Sequence, residues 1–372
     1  MRDKHPRHPM NRRAKDKEKD GEAQHKIKFI RASELLEEKL EESPEQDSKG
    51  SGWLPTPPTN RAYDGSMQLM DALMEEFQGI SLDEAFDGET VSNDLGECYK
   101  IESVSDQRLR RIDIESFLTG LTSNLRLVCG IGPTYEDELK STGYRSVEEL
   151  ISHPRWSDRA ERFIGLLKDG DVRSLQRWMF RFVPKTHFQI YRSSAFFDKE
   201  DFLILDIETM GLFGRVIILL GLAKQCEEGV SVTQYLLKDI SNEPCALMEV
   251  SSKLRDGSAL ITYNGKAFDV PYLDDRLAFY GLNPLEEKVH FDLLHFSRRL
   301  WGDTLPDYSL ASMERHLGVE RGIDLPSSLV PLFYEQYLET GNPGPLVPIV
   351  EHNRQDLLTL VTLFSRIHEE WK

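Results

Sequence analysis

Four acidic residues in the C-terminal half of the chain have the types and the spacing that a divalent-metal site requires. Asp206 and Glu208 interrupt an otherwise apolar run, and Asp269 and Asp356 follow in two later segments. A buried carboxylate is costly unless a cation or hydrogen bonds compensate its charge. Ligation by oxygen alone selects hard cations, Mg2+ or Mn2+, over zinc. The pattern therefore predicts a divalent-metal site.

The first two acids lie on one predicted strand, within residues 202–212. Side chains alternate along a strand, so Asp206 and Glu208 share one face. Two neighbouring carboxylates repel each other, and a cation is the simplest compensation. The pair alone is also compatible with a solvated strand end, so the metal interpretation depends on the other two acids.

Asp269 follows a second predicted strand. Residues 260–273 begin as an apolar run that breaks at Asn264-Gly265, a turn signal, and continue with helical periodicity. We therefore expect Asp269 just past the strand end, at the start of a helix. An acid in that place would also stabilise a helix N-terminus without any metal ion.

The fourth acid lies on a predicted helix within residues 349–360. His352 and Asp356 are four residues apart, so both project from one side of that helix. In isolation, a His and an Asp at this spacing form a surface pair more often than a catalytic one. The order of the three segments along the chain favours the catalytic interpretation.

Taken in order, the three segments resemble the DEDD superfamily of 3′→5′ exonucleases, whose fold is ribonuclease H-like. The resemblance covers residues 195–370, and further short motifs in this range are similar to the YprB-like group of predicted exonucleases. These motifs are Phe291-Asp292-Leu-Leu-His295, Arg298-Arg299-Leu-Trp301, Tyr308-Ser-Leu310, Glu314-Arg-His-Leu-Gly318 and His352-Asn-Arg-Gln-Asp356. The resemblance implies an α/β fold in which helices flank a mixed sheet.

The resemblance also implies a role for each acid. Asp206, Glu208, Asp269 and Asp356 would ligate two Mg2+ or Mn2+ ions, with Asp206 as the bridging ligand. His352 would orient or deprotonate the attacking water. One subfamily places a histidine five residues before the last aspartate, and another places a tyrosine four residues before it. His352 stands at the tyrosine spacing, so both roles stay open.

Three residues near Asp269 are candidates for supporting roles. Asn264 and Lys266 lie at the expected mouth of the site and could hold a substrate phosphate, although Lys266 is equally compatible with an ordinary surface charge. Asp292 could support the metal ligands or touch nucleic acid. Capping the helix that follows is the favoured interpretation of Asp292.

A second organised segment, residues 125–150, lies upstream. It is expected to form a helix, a tight turn at Gly130 and Gly132, a second helix and a short capped helix, and it resembles a helix-hairpin-helix DNA-binding element. In such an element the backbone passes close to a phosphate, and N–H groups at the start of the next helix bind its oxygens. Glu136 replaces the usual small residue, so a hairpin that only packs helices is an alternative.

Composition divides the chain into four parts. Residues 1–65 are polar and charged and are expected to be a disordered tail and linker. Residues 66–110 are expected to be partly ordered and are a candidate source of extra strands for the nuclease domain. Residues 111–185 are expected to form a small helical domain that contains the hairpin, and residues 195–370 the ribonuclease H-like domain.

Charge and composition limit the function classes. The chain of 372 residues carries a formal net charge of −17, and an acidic field opposes indiscriminate nucleic-acid binding. Its four cysteines are scattered, which indicates neither a disulfide framework nor a zinc site. No apolar stretch is long enough to span a bilayer and no secretory signal follows the charged N-terminus, so a reducing cytoplasm is expected.

The favoured hypothesis is a metal-dependent 3′→5′ exonuclease that acts on single-stranded DNA or RNA by a two-metal-ion mechanism. One alternative is a structure-specific endonuclease of the same fold, with the hairpin docking on duplex. Another is a non-catalytic nucleic-acid-binding protein. Nucleic acid is the expected partner in each case, and the sequence indicates neither a membrane nor a particular protein partner.

Overall fold

The structure, a computed structural model, describes residues 60–371 except 213, 257–258 and 323–324. The side chains of residues 60–62 and 255–256 are also left undescribed. The predicted tail and linker, residues 1–65, therefore lie outside the described residues except at positions 60–65.

The chain divides into two compact units. The larger unit comprises the described residues within 88–320 and 353–372, and the smaller unit those within 1–87 and 321–352. The predicted four-part division follows composition along the sequence, and its boundaries stay a prediction.

The larger unit is built on a seven-stranded sheet. The strands are β1 (Gly88–Asn93), β2 (Gly96–Ser105), β3 (Phe202–Thr209), β4 (Ile217–Gln225), β5 (Val230–Leu236), β6 (Ala259–Thr262) and β7 (Val289–Asp292). Their order across the sheet is β1-β2-β5-β4-β3-β6-β7. The first five strands in this order pair antiparallel, whereas β3, β6 and β7 pair parallel. The predicted α/β fold with a mixed sheet is therefore confirmed.

Strand β3 has neighbours on both edges for only part of its length. Its apolar residues are buried, as expected for a strand inside a sheet. β4 pairs with β3 from Ile204 to Thr209, whereas β6 pairs only with Phe202 to Ile204. The second half of β3, which carries the two predicted metal ligands, therefore has one open edge.

Thirteen α-helices occur in the described part of the chain. They are α1 (Asn60–Glu76), α2 (Leu82–Ala85), α3 (Ile114–Thr122), α4 (Pro133–Ser141), α5 (Ser157–Asp169), α6 (Val172–Met179), α7 (Phe188–Arg192), α8 (Glu243–Asp256), α9 (Asp269–Phe279), α10 (Leu293–Trp301), α11 (Leu310–Leu317), α12 (Val330–Thr340) and α13 (Leu346–Glu370). None of these described helices is long and apolar enough to cross a membrane.

One hydrophobic core joins the sheet of the larger unit to its helices. It includes buried side chains from α3 to α6 as well as from β3, β7 and α13. Within it, the rings of Tyr191, Phe202, Phe291 and Phe364 pack against one another. The helices of residues 114–179 are therefore packed onto the sheet rather than separated from it.

A buried ion pair holds α8 and α9 against β4. Glu243 accepts hydrogen bonds from the backbone N–H of Ile217, from Nε of Arg276 and from the hydroxyl of Tyr280. The side chains of Glu243 and Arg276 are 0% and 6% exposed. The hydrogen bonds to Glu243 offset the cost of removing both charges from water, so the loss of either partner would leave a buried charge without compensation.

We predict that Glu243→Ala lowers the free energy of unfolding by about 3–5 kcal/mol, because it leaves the Arg276 guanidinium buried without its counter-charge. Urea denaturation followed by circular dichroism measures the change. The control is Glu228→Ala, which removes an exposed carboxylate and should change the free energy by less than about 0.5 kcal/mol. Equal losses in the two variants would contradict the prediction.

Candidate active site

Asp206 and Glu208 project from the half of β3 that extends past β6. Asp206 is partly exposed, and Glu208 is 7% exposed. Desolvation, and then the charges of Asp356, Glu208 and Asp269, raise the pKa of Asp206 well above its ordinary value. The other three carboxylates predicted from sequence therefore all lie close enough to act on Asp206.

Asp269 is the first residue of α9, the position that the sequence pattern predicted. The side chain is 5% exposed and lies beside the backbone N–H of Ile207, on the open edge of β3. Burial raises the pKa of Asp269 to about 7, and the charges of Asp292 and Asp356 act in the same direction. Asp269 thus lies next to the strand that carries the first two acids.

Asp356 brings the third element, α13, to this group. Its side chain is 9% exposed, and its charge acts on both Asp206 and Asp269. Three elements from distant parts of the sequence thereby bring together the four predicted acids.

The chemistry of these acids fits Mg2+ or Mn2+. All four offer carboxylate oxygens, and a divalent cation would relieve their repulsion. Among the residues that the structure describes, however, no group of three or more His, Cys, Asp or Glu side chains is arranged to hold a metal ion. Mg2+ usually keeps several waters and binds through one or two carboxylates with substrate phosphates, so a complete protein cage is not required. Joint ligation by three of the acids would require side-chain rotation.

Asp292 has a function that the sequence pattern did not reveal. Its Oδ1 accepts a hydrogen bond from the backbone N–H of Leu294, so it caps α10 as expected. The same carboxylate also accepts from the backbone N–H groups of Asn264 and Lys266, at 2.8 and 3.1 Å. Asp292 therefore fixes the turn that leads into α9 and Asp269.

Asn264 and Lys266 lie in that turn. Asn264 adopts a left-handed backbone conformation, with φ of 63°, which asparagine tolerates better than most residues. Lys266 is exposed and lies in the turn directly before the start of α9. The turn therefore keeps both side chains close in sequence to Asp269, while their predicted contacts with phosphate stay predictions.

His352 is buried and hydrogen-bonded on both ring nitrogens. Nδ1 lies 3.0 Å from Nη1 of Arg321, and Nε2 lies 3.4 Å from the hydroxyl of Ser327. Arginine only donates, so Nδ1 accepts in this arrangement and its lone pair is occupied. On α13, His352 precedes Asp356 by one turn. Its predicted role stays a prediction, and proton abstraction by Nδ1 would require Arg321 to move.

Two elements of the upstream hairpin are 3-10 helices. The helix expected before the turn is a single 3-10 turn, Leu125–Leu127, because the Asn124 side chain accepts from the backbone N–H of Arg126 and starts the chain in a tighter conformation. The short capped helix after α4 is also a 3-10 helix, Glu149–Ser152.

The two glycines of the hairpin serve different purposes. Gly130 has φ of +91°, and a Cβ there would lie 2.5 Å from Nη1 of Arg159, which donates to the carbonyl of Cys129. Gly132 caps α4, and a Cβ there would have no atom within 4 Å. Gly130 is thus favoured by its left-handed backbone conformation, whereas the space at Gly132 is open. Nucleic-acid binding by either glycine stays a prediction.

Three comparisons relate this site to known proteins. Residues 203–368 match the RNase_H_2 model of the RNase H superfamily. The chain is 38% identical over 184 residues to the "Uncharacterized protein YprB" of Bacillus subtilis (strain 168), a match that covers 48% of this chain and 44% of that protein. It is 32% identical over 107 residues to the "DNA polymerase III PolC-type" of Mycoplasma pneumoniae, covering 23% of this chain and 7% of that protein.

A solved structure, the family B DNA polymerase from the hyperthermophilic archaeon Pyrobaculum calidifontis, is similar over 44% of this chain and 24% of that chain, with 14% identity and a TM-score of 0.36. That likeness is too weak to support a statement about function.

The matched regions span less than half the length of either curated relative. The family match shows where the similarity lies along the chain: residues 203–368 contain all four acids and His352. The sheet and its flanking helices agree with that match. This region of the chain therefore has a ribonuclease H-like α/β fold.

Proposed function

We propose that the chain is a metal-dependent 3′→5′ exonuclease that hydrolyses phosphodiester bonds of single-stranded DNA or RNA. The observation that carries the proposal is the raised pKa of Asp206, which is caused first by burial and then by the charges of Asp356, Glu208 and Asp269. Strong perturbation of a titratable group by desolvation and neighbouring charge is typical of functional sites. The match of this region to the RNase H superfamily gives the same chemistry independent support.

The proposed cofactor is a pair of Mg2+ or Mn2+ ions held by these four carboxylates. Once bound, the ions supply the positive charge that stabilises the attacking and leaving oxygens of an in-line displacement. Asp206 is the proposed shared ligand, because the charges of the other three acids all act on it. Asp269 lies beside the backbone of Ile207 on β3, which places it on the same strand edge as Asp206 and Glu208.

The remaining roles belong to polar residues near these ligands in the sequence. His352 is assigned to the attacking water, as the group that orients or deprotonates it, because it precedes Asp356 by one helical turn. Asn264 and Lys266 are assigned to substrate phosphate. Asp292 binds the backbone N–H groups of both residues. The contact with substrate phosphate is therefore assigned to their side chains.

Nucleic acid is the proposed substrate class. The similarity to a DNA polymerase III over 107 residues supports this class. The open space at Gly132, at the start of α4, is compatible with a phosphate beside the helix N-terminus. With a net charge of −17, nucleic-acid binding should be weak, and it should fall with salt in proportion to the number of Lys and Arg side chains that contact phosphate.

Two alternatives make different predictions. A structure-specific endonuclease, favoured by the open hairpin at Gly132, would cut circular DNA. A non-catalytic nucleic-acid-binding protein, favoured by the absence of a closed metal-ligand group among the described residues, would bind oligonucleotides without shortening them.

We predict that the wild-type protein with Mn2+ or Mg2+ shortens 5′-labelled single-stranded oligonucleotides stepwise from the 3′ end, and that EDTA stops the reaction. Asp206→Ala should reduce the rate by more than about 100-fold, since loss of a mere supporting partner of a metal ligand already costs about 10–100-fold. DNA and RNA substrates are compared on denaturing gels.

The matched control is Glu228→Ala, which removes an exposed carboxylate. This variant should cleave the oligonucleotides at the wild-type rate. Internal cuts in circular DNA would instead identify the endonuclease. Folded wild-type protein that degrades none of the substrates would contradict the exonuclease proposal.

We predict that Asp292→Ala lowers the single-turnover rate because it releases the turn that leads to Asp269. It should also reduce the free energy of unfolding by about 1–3 kcal/mol, because buried N–H groups lose their acceptor. Asp292→Asn keeps one acceptor oxygen and should have the smaller effect on both quantities. A rate equal to wild type in folded Asp292→Ala would show that the turn does not position the site.

A further inference from the structure

A buried amide lies directly behind Asp206. Nδ2 of Asn353, on α13, donates to Oδ2 of Asp206 at 2.8 Å and to the backbone carbonyl of Asp206 at 3.2 Å. We infer that Asn353 is a positioning residue, which fixes the Asp206 carboxylate in the orientation that metal ligation requires. This inference rests on the proposed function and adds a group to its site.

The orientation of the Asn353 amide is itself determined. Its Oδ1 accepts a hydrogen bond from Nε2 of Gln234, on β5, at 2.8 Å. Asn353 and Gln234 are 0% and 1% exposed, so water does not compete for these groups. Because the oxygen of the amide is bound by Gln234, its nitrogen must face Asp206. The hydrogen bonds thus run in one direction, from Gln234 through Asn353 to Asp206.

The sheet register makes room for this amide. Gly221 of β4 pairs with Asp206 on one side and with Gln234 on the other. A Cβ at Gly221 would lie 2.1 Å from Oδ1 of Asn353 and 2.8 Å from Leu357, so any larger residue would displace the amide. Three neighbouring strands and α13 therefore define one place for the Asn353 side chain.

A neutral donor suits this position better than a charged one. Without it, Asp206 would turn away from Glu208, Asp269 and Asp356 to reduce their repulsion. A lysine or arginine would also hold the carboxylate, but its positive charge would compete with a divalent cation for the same acid. An amide orients the carboxylate and leaves the negative charge available to a metal ion, which is how partners beyond the ligands tune metal sites.

The test measures Mn2+ binding to the full chain by isothermal titration calorimetry, without nucleic acid. Asn353→Leu removes the donor at similar volume, and we expect its Mn2+ dissociation constant to rise by about 10–100-fold. Gln234→Leu leaves Asn353 in place but frees its orientation, so a smaller rise is expected. The single-turnover rate at saturating nucleic acid should fall in the same order, and the KM for nucleic acid should change little.

The matched control is Gln176→Leu, which removes another buried amide, one that donates to Ser193 among the helices. A merely structural role for Asn353 would lower the melting temperature as Gln176→Leu does and leave the Mn2+ dissociation constant at its wild-type value. If Asn353→Leu does not fold, Gln234→Leu decides the question by the same measurement.

Asp206→Ala separates the two possible failures. If its Mn2+ affinity equals that of the wild type, the proposed metal site is wrong and the role of Asn353 is overturned with it. If Asp206→Ala loses Mn2+ binding while Asn353→Leu and Gln234→Leu bind with wild-type affinity, only the positioning role is overturned.

Discussion

Carboxylates that lie close together in a poorly hydrated site repel one another, and the repulsion grows as the effective dielectric constant falls. This is the situation of Asp206, Glu208, Asp269 and Asp356. The charges of the last three all act on the pKa of Asp206. A folded chain keeps such a group together only if the surrounding structure is rigid enough to oppose the repulsion. The site therefore depends on the elements that hold it, β3, α9 and α13, as much as on the acids themselves.

Hydrogen bonds to neutral groups supply much of that rigidity. The backbone N–H of Ile207 faces Asp269, because β6 stops pairing with β3 at Ile204 and leaves that edge open. The Asn353 amide, on α13, donates a hydrogen bond to the Asp206 carboxylate. None of these donors carries a charge, so each one orients a carboxylate while the site keeps its attraction for a divalent cation.

Asp292 differs from the four predicted ligands, because its carboxylate oxygens accept hydrogen bonds from the backbone. It accepts from Asn264, Lys266 and Leu294 and is 1% exposed. Its charge raises the pKa of Asp269, yet its hydrogen bonds fix the turn that precedes that residue. Asp292 is thus a fifth carboxylate near the site, and its effect is on the backbone geometry of the turn. Its position next to four predicted ligands therefore did not identify this function.

Local patterns were sufficient for the strand that carries Asp206 and Glu208 and for the helix start at Asp269, because period and turn signals lie within a few residues of each acid. The mixed α/β fold was predicted from the family resemblance of the motifs, and the structure confirms it. Local patterns could not reveal the contacts of Asn353, which depend on the register that places Gly221 between Asp206 and Gln234. The partners of His352 were missed for the same reason, since Arg321 and Ser327 are distant in sequence. The helix predicted before Gly130 was wrong because a single side chain, Asn124, favours a tighter turn there.

The most direct test of the central claim is an anomalous-scattering map from crystals of the wild-type protein soaked with Mn2+. The account predicts Mn2+ peaks among the carboxylates of Asp206, Glu208, Asp269 and Asp356, with Asp206 contacting each ion. Well-ordered carboxylates with no Mn2+ peak, or a peak only elsewhere on the protein, would contradict it.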